Sequence, residues 1–280
     1  MPDVVAAVAS LARLPGIPEQ VDAARDACTQ LRWHEALRRR VPEAAAESRV
    51  RGAWASGELE GARMSLDTVR DVMRGAVTWG TDPDPVEQVM RGVISATAES
   101  ERLEPLVRRA PLQALARLHV AAAAGLVDDD RLGRPRAEGE LCRELVDLGA
   151  PPPVDEAGQR LAALADLLVA AEDLPAVVVI AVVHAEIVTV RPFVRGNAVV
   201  ARAMERAAVK ALGLDPTGVA VTEAGHRALG GPEYLGALTA YGMGTPEGVG
   251  LWISHCARAI QAAATQGRTI ADAVLAGRLG

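Results

Sequence analysis

The chain has 280 residues, half of them hydrophobic, with a formal charge of −6 and a pI near 5.5. That length can bury a large core, as one domain or a domain with an appendage, and the negative balance argues against a nucleic-acid partner, which needs a basic face. No basic stretch followed by an apolar one opens the chain, and the longest apolar run, Ala176 to Val183, is too short for a bilayer, so no membrane partner and a cytoplasmic location are expected.

Only seven residues are aromatic, so the core must come from Ala, Val and Leu, small side chains that favour closely packed helices and an all-α, mainly helical fold. Cys28, Cys142 and Cys256 are odd in number and far apart, which fits a reducing compartment and suggests neither a disulfide framework nor a CxxC metal site.

In chain order, Asp128 to Glu140 mixes aspartates, glycines, Pro135 and arginines and reads as an exposed loop or short hairpin. Pro151, Pro152 and Pro153 form a rigid corner. A helix follows over Gly158 to Ala171, with Leu161, Leu164, Ala165 and Leu168 on its buried stripe. Val177 to Ile180 is β-branched like a strand but runs unbroken toward Glu186, so it reads as a buried helix. Val200, Met204, Ala207, Ala208 and Ala211 make the stripe of another helix, which stops near Gly213 with Pro216 beyond. Further helices are predicted over Pro232 to Tyr241, Pro246 to Ala264 and Thr269 to Ala276.

Immediately ahead of the helix over 200–211, residues 191 to 202 read RPFVRGNAVVAR. A glycine turn feeding a helix N-terminus presents free backbone N–H groups and the positive end of the helix dipole, a ready anion site. Equally, Gly196 and Asn197 can form a turn that only caps the helix.

This segment resembles, without gaps, the Fic (Fido-domain) signature HxFx(D/E)GNGRxxR, through Pro192, Phe193, Gly196, Asn197 and Arg202. Upstream, Ser56, Glu60 and Gly61 resemble the SxxxEG of the inhibitory helix that one class of Fic proteins carries before its core. The proline corner, the helix after it, the stretch from His184 to Pro192 and the helices after Pro232 are similar to that core as well. The resemblance implies an N-terminal helical extension over 1–45 and a Fic-like domain over 46–280, with the inhibitory helix at about 50–62 and the core at about 105–265.

The departures bear on chemistry. The family's general-base histidine, which takes a proton from a target hydroxyl, is Arg191 here, and a guanidinium stays protonated. The acidic residue that holds Mg²⁺ is Arg195, so the usual metal mode is not expected, and no metal ligand set is proposed. The second glycine of the signature is Ala198 and the first arginine is Val199. Asn197 and Arg202 remain; the resemblance gives Arg202 a γ-phosphate or the inhibitory glutamate as partner, and spacing alone would offer it Glu205.

Arg191, Arg195 and Arg202 could together form an anion pocket without metal, or Arg191 and Arg195 could fill the old site with ion pairs, Glu60 being one partner. The phosphate-binding set is then Arg195, Gly196, Asn197, Ala198 and Arg202, with Ser56, Glu60 and Gly61 inhibitory. His184 would share a helix face with Arg191 but reads as a structural histidine. The other histidines lack metal-ligand spacing, GxxxxGK and GxSxG are absent, and Gly242, Gly244 and Gly248 follow no strand.

The expectation is a degenerate Fic-like protein that binds ATP, another nucleotide or an anionic small molecule without ordinary AMP transfer. The alternative is a divergent transferase acting on a protein Ser, Thr or Tyr hydroxyl under restraint by Glu60. A weaker third reading has Glu60 help water remove a nucleotidyl group from a modified protein. A protein target would dock on a flap hairpin, whose equivalent at Arg131 to Glu140 is short and charged.

Overall fold

The computed structural model describes residues 2–279. Thirteen α-helices run in chain order: α1 (Pro2–Leu11), α2 (Ile17–Arg32), α3 (Val41–Leu59), α4 (Leu66–Met73), α5 (Pro85–Ser100), α6 (Glu104–Arg109), α7 (Pro111–Ala123), α8 (Val154–Val169), α9 (Ala176–Val190), α10 (Asn197–Ala211), α11 (Thr222–Leu229), α12 (Gly231–Gly242) and α13 (Pro246–Leu275). Among the described residues there is no strand, only an isolated bridge between Ala124 and Val127. No described helix is long and apolar enough to cross a membrane.

Local chemistry sets several starts. Asp84 and Glu87 close a capping box on α5, Ser65 caps α4, and the Thr245 hydroxyl accepts from the Gly248 N–H at the head of α13. Proline occupies the first turn of α2, α3, α5, α6, α7, α12 and α13, where its missing N–H costs nothing.

The Val-rich segment after Pro175 is indeed helical. α9 is buried along almost its whole length, so burial from all sides overrides the β preference of its branched side chains. It lies against α10, whose residues from Asn197 to Val209 are all buried. α5, α6, α7 and α11 enclose the rest of α10. The predicted stripe on α8 holds at Leu161, Leu164 and Leu168, with Leu167 buried where Ala165 is only half-buried. Ile17, Ala24, Cys28 and Leu31 of α2 join the common core, so residues 1–45 have no core of their own; the 45/46 boundary falls inside α3.

One open alternative is settled as a loop, and one expected helix break is corrected. Residues 128–140 form a single 3-10 turn and a loop, with no hairpin: the Arg134 guanidinium grips both carboxylate oxygens of Glu140 at 2.7 and 2.9 Å, curling the chain. The break expected between Ala264 and Thr269 is absent, because Gly267 is there for close approach. A Cβ at this position would fall 2.7 Å from Leu31 Cδ2 and 2.9 Å from the Val219 carbonyl oxygen. For Gly267→Ala, overpacking of about 1–3 kcal/mol outweighs a helix-propensity gain of about 1 kcal/mol. Its urea midpoint is therefore expected to fall below wild type with an unchanged m-value.

Candidate functional site

The site forms where α9 hands over to α10. Arg191 ends α9 with a left-handed backbone, φ 46°, and Gly196 starts α10 with φ 84°, a value only glycine adopts cheaply. Between them the Phe193 ring stacks on His119 at 3.9 Å. The Asn197 side chain locks this turn: Oδ1 accepts from the Phe193 N–H at 3.0 Å and Nδ2 donates to the Phe193 carbonyl at 2.9 Å.

The N-terminus of α10 already holds an anion, and it belongs to the chain. The Glu144 carboxylate accepts from the Gly196 N–H at 2.6 Å, from the Asn197 N–H at 3.1 Å and from Asn197 Nδ2 at 3.0 Å. Burial pushes the Glu144 pKa up, against the pull of these donors; the charge of Glu60 pushes it the same way. Sequence reasoning missed Glu144 because nothing in the spacing of residues 141–150 marks one acid as facing a helix 50 residues later.

The Arg191 side chain is spent on the segment from Glu144 to Gly149. Its buried guanidinium donates through Nη1 to the carbonyls of Gly149 (2.8 Å), Leu145 (3.2 Å) and Glu144 (3.4 Å). Arg136 ties the same region from the other side: its Nε donates to the Arg191 carbonyl at 3.0 Å, and its backbone N–H to the Pro192 carbonyl at 2.7 Å. The residue in the general-base position is thus a pin for the segment that delivers Glu144.

Arg202 is 2% exposed and faces α3. Its Nε donates to Ser56 Oγ at 2.9 Å and its Nη2 to Glu60 Oε1 at 2.5 Å. Burial pulls the pKa of this guanidinium down, and Glu60 and Tyr234 more than offset it. Gly61 follows with φ 75° and turns the chain away. Arg195 is exposed at the rim, so Arg191, Arg195 and Arg202 do not converge, and Glu60 meets Arg202 rather than Arg191 or Arg195. Glu205 is no partner of Arg202; it lies against His184 and His226.

A cleft of ≈ 440 Å³ joins these parts, lined by Glu60, Val89, Ala122, Leu126, Arg143, Glu144, Val194, Arg195, Gly196 and Val199. This lies in the range of about 300–1,000 Å³ usual for small-molecule sites. Ala198 is buried in the first turn of α10 and does not line the cleft. Its two carboxylates are engaged, Glu60 by Arg202 and Glu144 by the α10 N-terminus. Arg143 and Arg195 are exposed and form no ion pair among the described residues. A larger cleft of ≈ 700 Å³ lies on the side of α9 that carries Glu186, where both Arg160 and Tyr241 are taken up by the Glu186 carboxylate.

Both ring nitrogens of His119 and of His184 are already engaged. His119 Nδ1 accepts from the Gly133 N–H at 2.9 Å, which fixes Nε2 as donor to the Arg195 carbonyl at 3.1 Å, and burial pushes its pKa down to about 4. His184 does not share a face with Arg191, which has left the helix; it is fully buried, with Nδ1 at 2.5 Å from Glu205 Oε2 and Nε2 at 2.6 Å from the Tyr234 hydroxyl.

The fold is that of the Fic proteins. A Fic family protein from Desulfovibrio desulfuricans superposes with a TM-score of 0.71 at 20% identity, over 91% of this chain and 74% of its own. Fic-1 from C. elegans matches with 0.67 at 16% identity, over 90% and 72%. A Fic domain containing signaling protein from Bacteroides thetaiotaomicron matches with 0.60 at 13% identity, over 90% and 98%. No family model and no curated protein sequence matches the chain.

Arg191→Ala removes charged hydrogen bonds to three carbonyls and is expected to lower stability by about 2–3 kcal/mol. Hydrogen exchange should then accelerate at residues 144–149 ahead of α9 and α10; equal acceleration across all three would contradict the pin.

Proposed function

We propose that this Fic-fold protein binds a nucleotide or another phosphorylated ligand at the N-terminus of α10, without ordinary AMP transfer and without Mg²⁺. The observation that carries the reading is the Glu144 carboxylate on the Gly196 and Asn197 N–H groups. Those donors form an anion site whether the oxygen comes from a carboxylate or a phosphate. A ligand phosphate displaces Glu144, and Arg143 and Arg195 at the rim supply the cations that the missing metal would have supplied. Ordinary transfer lacks a base: Arg191 is charged and turned onto carbonyls, and His119 has no free lone pair. Loss of such a base costs on the order of 10² to 10⁴ in rate. Docking of a protein target by strand addition has no hairpin edge in residues 128–140 to use.

The test is calorimetric titration of wild type, Glu144→Ala and Glu60→Gly with ATP, ADP, AMP and phosphate, each with and without Mg²⁺. Saturable, metal-independent binding is expected in wild type. In Glu144→Ala it should tighten about tenfold, equivalent to about 1.4 kcal/mol of competition removed. Arg195→Ala should weaken it. Absence of heat with every ligand in all three proteins would falsify the reading.

A pH arm isolates Glu144. Because its native pKa is raised, its preference for the closed, protonated state is fully present below the unfolded pKa and is lost as pH rises through the native one. Glu144 therefore holds the helix start more firmly on acidification and becomes harder to displace. Sulfate, whose charge is constant, should bind wild type more weakly at pH 5 than at pH 7, and Glu144→Gln equally at both.

One observation favours a second reading. Arg202 is held by Ser56 and Glu60 together, an arrangement in which a restrained transferase would keep its phosphate-binding arginine occupied. On that reading Glu60→Gly transfers a nucleotidyl group to a protein hydroxyl. Labelling of a cell extract with α-phosphate-tagged ATP by Glu60→Gly, absent with Glu60→Gly/Asn197→Ala, would establish it over pure binding.

A further inference from the structure

Outside the cleft, the most concentrated chemistry lies in the core between α9, α10 and α11. His184 Nδ1 and His226 Nε2 both aim at one oxygen of Glu205, at 2.5 and 2.8 Å. All three residues are at most 1% exposed, and their ligand atoms lie within 4.8 Å of one another. The other carboxylate oxygen, Oε1, is buried with no hydrogen-bond partner. A buried carboxylate oxygen left unpaired is costly, so its position calls for a cation.

The second nitrogens of both rings are also held. His184 Nε2 meets the Tyr234 hydroxyl at 2.6 Å, and His226 Nδ1 meets His255 Nε2 at 3.1 Å. His255 Nδ1 in turn meets Glu233 Oε1 at 3.1 Å. Partners of this kind are what orient metal-binding imidazoles.

Donor counting sharpens the point. The path Glu205, His226, His255, Glu233 begins and ends on carboxylates, which only accept when ionised. Three protons must then sit on the four ring nitrogens between them, leaving one imidazolium in a fully buried site. If instead a divalent cation takes the lone pair of His226 Nε2, then Nδ1–H donates to His255 and His255 Nδ1–H donates to Glu233, with both rings neutral. Tyr234 can accept from His184 Nε2–H in the same way.

We propose that His184, Glu205 and His226 form a buried site for a first-row divalent metal ion, with zinc as the best match. Two imidazoles and a carboxylate are a zinc donor set, and zinc has no demand for an octahedral water shell, which rules out magnesium in so dry a place. In a zinc site with bonds near 2.0–2.1 Å the ligand atoms stand about 3.3 Å apart. The observed gaps need open by less than about 1 Å to reach that spacing. Oε1 supplies the further contact by making Glu205 bidentate. The ion staples three helices one turn beyond Arg202, so its role is to fix α10, and it is independent of what the cleft binds.

The experiment is metal content by mass spectrometry on full-length protein, unfolded in denaturant with chelator and refolded with zinc or cobalt, then dialysed against chelator-treated buffer. Wild type and His34→Gln, whose histidine lies outside the cluster against Asp272, are expected to retain about one ion per chain. Glu205→Gln and His226→Gln should retain at least tenfold less. Cobalt-loaded wild type should show the visible bands of a low-coordinate ion, and zinc should raise the wild-type Tm by about 5 °C or more over the chelated protein. The wild-type refolding and Tm measurements stand even where a core variant fails to fold. Refolded wild type with no ion and no Tm shift, or equal retention by the Glu205 and His226 variants, would overturn the site and leave a proton-held network.

Discussion

The structure depends on one constraint, the complete burial of a helix that carries charges. From Asn197 to Val209 every residue of α10 is out of solvent, yet Arg202, Glu205 and Arg206 lie within two turns. A buried charge left alone costs several kcal/mol per ion, so each of the three must find its partner inside the protein. Arg206 grips Glu223 of α11 through two contacts, 2.9 and 2.7 Å, and also donates to Ser48. Arg202 reaches α3 through Ser56 and Glu60, and Glu205 reaches α9 and α11 through two histidines. These contacts fix which faces of α3, α9 and α11 can meet α10, and therefore where the ends of those helices lie.

The cleft at the head of α10 follows from the same arrangement. The helix start offers backbone donors and its second turn a guanidinium, two places where negative charge is favoured. The chain fills both itself, with Glu144 and Glu60. Burial and the charge of Glu60 both press on Glu144 while each acid is held by its own partner, so the cleft is lined by two engaged carboxyl groups. Arg191 and Arg136 clamp the backbone around Glu144 and keep that arrangement together.

The fold was legible where a pattern is local. The small aliphatic composition, the stripes on α8 and α10, the proline corner and the unbroken Val-rich run all read as helix before any coordinate, and the Gly196–Asn197 turn read as a helix start with free N–H groups. Reading failed at the break expected between Ala264 and Thr269, where Gly267 serves close packing, and it left residues 128–140 open between a loop and a short hairpin, which the ion pair between Arg134 and Glu140 settles as a loop. Both depend on what lies across from the residue, which one-dimensional spacing does not contain.

The amino-acid order by itself determined the helical class, the helix start at Gly196 and Asn197 and the presence of a permanently protonated side chain at residue 191, because each rests on near neighbours or on the chemistry of one side chain. Only the tertiary structure decided that Arg202 belongs to Glu60 and not to Glu205 three residues away, that Glu144 occupies the helix start, and that His184, Glu205 and His226 share one point in the core. Those outcomes join residues 21 to 142 positions apart, and which of many acids meets a given cation is settled by packing and desolvation, quantities that exist only once the chain has closed on itself.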